Sequence, residues 1–140
     1  MGLHNPASLD AAARRIGDRW SLRVVGALLD GEHTFGELAQ AVDGIAPTIL
    51  TARLRALQRM ALVTAVPYER RPPRMRYSLT EPGRRLGEAI ASLAEWGAGR
   101  EGHEPGRVHG ACGSTIEMRP WCPTCDRPVA FEKADALMWC

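Results

Sequence analysis

A mainly α protein of the α+β class is what this sequence predicts, and three features predict it. Five stretches before Gly97 space their apolar side chains as helices do. Two short runs in the middle of the chain, rich in valine and tyrosine, alternate as strands do. All four cysteines, Cys112, Cys122, Cys125 and Cys140, lie together in a C-terminal tail.

The elements follow in order. Ser8 is placed to cap a helix running to Ile16, and Asp18 the next, whose stripe of Trp20, Leu22, Val24, Val25, Leu28 and Leu29 ends at Asp30-Gly31. His33 to Phe35 can add one small strand. Thr34 with Glu37 three residues on is a capping box opening a third helix, which Gly44 closes. Pro47 suits the first turn of a fourth helix reaching about Met60. There Leu50, Leu54, Leu57 and Ala61 share one face, while Thr48, Ala52, Arg55 and Arg59 share the opposite one. Strand-like runs at Leu62–Tyr68 and Met75–Leu79 flank Glu69–Arg74, a basic hairpin tip with two prolines. Thr80 caps a last helix carrying Leu86, Ile90, Leu93 and Trp96. The whole reads as a winged helix-turn-helix domain with a two-stranded wing over residues 1–98. A glycine-rich linker at 99–107 and a small zinc-ribbon-like tail at 108–140 follow.

Length and charge narrow the function. A chain of 140 residues holds one compact domain and an appendage, and its 45% hydrophobic content excludes wholesale disorder. No apolar run is long enough to cross a bilayer, and Met1 to Asp10 lack the layout of a secretory signal, so a cytoplasmic protein with no membrane partner is expected. Net charge is only +2, yet Thr48 to Arg85 hold nine arginines against two acids, and residues 101–140 hold four bases against six acids. That concentrated positive middle suits a binder of phosphate backbones. No phosphate-binding glycine loop, serine–histidine–acid order or dinucleotide fingerprint is present, so catalysis is not expected.

The polar, cationic front of the fourth helix can reach base edges in a major groove. The hairpin can reach neighbouring phosphates or the minor groove with Arg70, Arg71, Arg74 and Arg76. Ile16-Gly-Asp-Arg-Trp20-Ser-Leu, Phe35-Gly-Glu-Leu38, Gly44-Ile-Ala-Pro-Thr-Ile-Leu50, Arg53-Leu-Arg-Ala-Leu57 and Tyr77-Ser-Leu-Thr-Glu-Pro-Gly83 resemble the HxlR-type winged-helix regulators, relatives of the MarR family, over roughly residues 8–98. The resemblance implies a homodimer, joined through its N- and C-terminal helices, on a pseudo-palindromic operator in double-stranded DNA. It implies transcriptional control, more often repression. By position, Thr48, Thr51, Ala52 and Arg55 face bases, Arg53 is a backbone contact or a structural tie, and Arg59 extends the basic front. An unknown small-molecule effector would bind between the dimer helices and the DNA-reading helices.

In the tail, His109-Gly-Ala-Cys112 and Cys122-Pro-Thr-Cys125 each separate two ligands by two residues, the spacing of a zinc knuckle. One structural zinc ion per chain on His109, Cys112, Cys122 and Cys125 would replace the hydrophobic core that so short a segment lacks. Cys140 is the alternative to His109 as fourth ligand, His103 is a further candidate, and unliganded thiols are the plain alternative. Two other functions stay open: a redox- or metal-responsive regulator using these cysteines, and a protein-interaction adaptor.

Overall fold

The structure, a computed structural model, describes residues 6–100 and 107–129. α1 spans Pro6–Ile16 and so begins two residues ahead of the expected cap at Ser8. Proline fits a first turn, where its missing N–H leaves no bond unmade. α2 spans Arg19–Leu28, β1 His33–Thr34 and α3 Phe35–Ala41. Ser8 thus lies inside α1, but the caps signalled for α2 and α3 form. The Asp18 carboxylate accepts from the Trp20 and Ser21 amides at 3.1 and 3.0 Å. Thr34 Oγ1 accepts from the Glu37 amide at 3.3 Å, and the Glu37 carboxylate accepts from the Thr34 amide at 2.6 Å. These bonds satisfy donors that every helix start leaves unpaired.

α4 spans Pro47–Arg59, with Pro47 in its first turn. β2 spans Val63–Arg70 and β3 Pro73–Leu79, in an antiparallel sheet ordered β1-β3-β2. The hairpin is longer than the sequence suggested. Glu69 pairs with Arg74 and Arg70 with Pro73, so only Arg71 and Pro72 form its turn. Pro73 is tolerated because it is the first residue of its strand. An irregularity between Pro67 and Glu69 shifts the register at Tyr68.

α5 spans Glu81–Arg100 and continues through Gly97 and Gly99, where a linker was expected. Glycine costs about 1 kcal/mol against alanine in a helix, but extending an existing helix gains a hydrogen bond for each residue fixed.

The buried core joins Val24, Val25 and Leu28 of α2, Leu38 of α3, and Leu50, Leu54 and Leu57 of α4 to Val63 and Leu79 at the base of the wing. The apolar stripe expected on α4 is therefore the buried one. Ala61 is an exception: it is exposed and adopts φ 55 in the turn leaving α4. By packing, the chain divides into Arg15–Ala94 and a second unit of Met1–Arg14 with Glu95–Cys140. Among the described residues no helix is long and apolar enough to cross a membrane.

Candidate nucleic-acid interface and cysteine tail

The α4 front stands free of the core. Thr48, Ala52, Arg55 and Arg59 are exposed, and Thr51 and Arg53 are half-buried. The Thr51 hydroxyl donates to the Pro47 carbonyl at 2.9 Å, which leaves its oxygen as an acceptor. Arg53 faces α2 instead, its Nε 3.2 Å from Asp18 Oδ1 and shielded from solvent. Arg55 and Arg59 form no ion pair among the described residues. Arg55 lies near the wing: burial pushes the Tyr77 hydroxyl above its ordinary pKa, and the positive charge of Arg55 partly offsets that.

The wing carries the other four arginines, all exposed. Arg74 Nε is 3.5 Å from Glu69, and Arg76 Nη1 is 3.8 Å from Glu32 while its guanidinium sits 5.3 Å over the Tyr68 ring. Arg70 and Arg71, at the turn, form no ion pair among the described residues. The seven arginines among the ten positions singled out by the sequence thus divide by charge partner. Among the described residues Arg55, Arg59, Arg70 and Arg71 have no carboxylate partner and so offer a cation to an external phosphate, whereas Arg53, Arg74 and Arg76 already face a carboxylate.

Asp18 is the residue that sequence reasoning undervalued. It was legible as a helix cap, but its ion pair with Arg53 joins positions far apart in the chain. Burial works against its ionisation, yet hydrogen bonds from Ser21 and Trp20 and the charge of Arg53 win, holding its pKa below the usual aspartate value. A carboxylate depressed in this way contributes stability above its unfolded pKa and loses it as pH falls through its folded one. Unfolding midpoints should therefore drop as pH is lowered through and below the ordinary aspartate range. Asp18→Asn, which keeps a capping oxygen but no charge, should flatten that dependence. Asp18→Ala should cost about 1 kcal/mol more than the asparagine variant, because it also removes the cap. Identical pH profiles for the wild type and Asp18→Asn would show that the charge plays no part.

In the tail, Val108 bridges Thr115 around one turn, and β4 (Trp121–Cys122) pairs with β5 (Arg127–Pro128) around another. Each turn holds half of the expected ligand set. His109 Nδ1 lies 3.3 Å from Cys112 Sγ. The Cys112 thiol is held below its ordinary pKa by the Ser114 hydroxyl and amide, and Cys122 by the amide and thiol of Cys125 and the amide of Thr124. Amide N–H groups aimed at sulfur are what a knuckle offers a thiolate, and one imidazole with three thiolates suits zinc. The two halves are not gathered, however. Among the described residues no three His, Cys, Asp or Glu side chains stand close enough to share an ion. Cys140 and His103 lie outside the described residues. Upstream of the turns, Arg107 Nε donates to Glu95 Oε1 at 2.7 Å and ties the start of the tail to the end of α5.

The pattern of the HxlR-like helix-turn-helix family matches residues 15–104. This chain belongs to that family. The HxlR-like chain is 35% identical over 126 residues to an HTH-type transcriptional regulator of Mycobacterium tuberculosis strain H37Rv, covering 87% of this chain and 79% of the relative. Among solved structures it resembles a MarR-family transcriptional regulator of Enterococcus faecalis V583, with 34% identity, TM-score 0.61, and 71% and 90% of the two chains covered. It also resembles the redox regulator HypR in its reduced form, with 30% identity, TM-score 0.63, and 67% and 93% covered. The HxlR-like protein is a transcriptional regulator of the helix-turn-helix type, as these relatives are, and not an enzyme.

Proposed function

We propose that this chain is a cytoplasmic, dimeric, sequence-specific repressor that reads a pseudo-palindromic operator with α4 and grips its backbone with the wing. The observation carrying this reading is the exposed front of Thr48, Ala52, Arg55 and Arg59, backed by Leu50, Leu54 and Leu57 in the core. Among the described residues neither Arg55 and Arg59 on that front nor Arg70 and Arg71 on the wing form an ion pair. Dimerisation is supported by apolar side chains left in solvent on the terminal helices, with Leu9 63%, Leu93 50% and Trp96 64% exposed. The tail would hold one structural zinc ion on His109, Cys112, Cys122 and Cys125, once its two turns close on each other.

Fluorescence anisotropy with a duplex from the gene's own upstream region tests the DNA-binding part. Binding should exceed that to random duplex, and log affinity should fall with log salt at a slope of about −0.9 for each phosphate gripped. Equal affinity for both duplexes contradicts the proposal. Elemental analysis of the same preparation should give about one zinc per chain, released with loss of tail structure on chelation. Metal-free protein with an unchanged tail contradicts the zinc assignment.

The likeness to a redox regulator supports a second reading, in which thiol oxidation alters DNA affinity. Every cysteine of this chain lies in the tail, so such a response would have to start there. Operator release on mild peroxide, reversed by a thiol, is its expected signature.

A further inference from the structure

An open pocket of about 420 Å³ lies within the Arg15–Ala94 unit, its lining including Leu28, Leu29, Leu79, Glu32, Arg84 and Glu88. It opens where the end of α2, the end of β3 and the first turns of α5 meet. Leu28, Leu29 and Leu79 give it an apolar lining, and its charged groups are Glu32, Glu88 and Arg84.

Arg84 is already engaged. Its Nη2 lies 2.8 Å from Glu81 and its Nη1 donates to the Leu79 carbonyl at 3.1 Å. Glu32 has only the loose 3.8 Å contact with Arg76, and Glu88 forms no ion pair among the described residues. Among the described residues the pocket therefore presents apolar walls, a surplus of negative charge and no uncommitted cation. We propose that it binds a small amphipathic organic cation, an amine with an aliphatic or aromatic body, whose charged end sits at Glu32 and Glu88. An anionic ligand of the same shape would meet two carboxylates and an arginine that Glu81 has neutralised.

The site is wired to the wing. Glu32 is the acidic partner of Arg76, Arg76 stacks over Tyr68, and Ser78 and Leu79 continue the strand that carries Arg76. A cation held by Glu32 competes with Arg76 for that carboxylate and so changes the charge the wing offers to DNA. As an effector site this rests on the regulator reading; as a binding site it does not.

The test is calorimetric titration of the full chain, without DNA, with 2-phenylethylamine, hexylamine and their matched carboxylates, phenylpropanoate and heptanoate. At least one amine should bind saturably, the carboxylates at least tenfold more weakly. Glu88→Gln and Glu32→Gln, both surface substitutions, should each weaken the amine about tenfold without moving the unfolding midpoint. Equal binding of amines and carboxylates, no saturable binding by either amine, or amine binding indifferent to both substitutions overturns the site. Repeating the titration on operator-bound protein separates the two layers. A change in amine affinity of about threefold or more supports the effector role, and an unchanged affinity refutes that role while leaving the site standing.

Discussion

Replacing Arg55 with alanine is expected to weaken operator binding by about 1–3 kcal/mol, roughly 5- to 150-fold, and to relax base preference at one position in each half-site. The expectation comes from where the residue stands. Arg55 is exposed on the front of α4, lies near Tyr77 of the wing strand, and has no acidic partner among the described residues. Its planar fork can therefore take a guanine edge without first breaking an ion pair. Folding should be untouched, because the helix is held from behind by Leu50, Leu54 and Leu57. Arg53→Ala should behave differently and lower the unfolding midpoint as well, since it strips Asp18 of its partner. Anisotropy titrations beside urea denaturation distinguish the two. An Arg55→Ala protein with wild-type affinity and preference would remove the base-contact role from this residue.

Gly83→Ala adds a single methyl group, yet it should destabilise the fold by about 3 kcal/mol, at the upper end of the usual range for overpacking. A Cβ at Gly83 would stand 2.0 Å from the carbonyl oxygen of Leu62, a backbone atom with no rotamer by which to escape. The first turn of α5 is clamped to this stretch. The Thr80 hydroxyl donates to the Ala61 carbonyl at 2.6 Å, the Thr80 amide to the Leu62 carbonyl at 3.0 Å, and Thr80 Oγ1 accepts from the Gly83 amide at 3.1 Å. Relieving the clash means lifting α5 and losing these bonds. Gly26→Ala in the middle of α2 has the opposite expectation. Nothing lies within 4 Å of the added methyl, so the helix should gain about 0.5–1 kcal/mol. Urea midpoints for the pair check both signs, and a Gly83→Ala protein as stable as the wild type would mean that α5 can ride away from Leu62 at little cost.

Where a local rule decides conformation, the sequence was a faithful guide. Asp18, the Thr34–Glu37 box and Thr80 start helices through their own side chains, and Pro47 takes the first turn of α4, whereas Ser8 lies inside α1 rather than at its cap. The stripe of α4 was legible for the same reason, because helical spacing alone separates its buried leucines from its cationic front. What escaped was set at longer range. Strand pairing carried β2 and β3 past Tyr68 to Arg70 and Pro73, although the prolines suggested a wider tip. α5 ran on through two glycines that composition marks as a break. The ion pairs that engage two of the helix and wing arginines, Asp18 with Arg53 and Glu32 with Arg76, depend on packing between elements that no spacing rule connects. The tail shows the same boundary. Each knuckle-like turn follows from its own few residues, whereas bringing the two together would be a tertiary event.

Selection of the preferred duplex from a random pool by the purified full chain bears most directly on the central claim, that α4 and the wing of two chains read DNA together. Two similar inverted half-sites should emerge, their centres about 10–10.5 base pairs or a multiple of that apart, with a guanine position that loses its preference in Arg55→Ala. A selected pool indistinguishable from the starting one, or one that Arg55→Ala enriches identically, would contradict the account.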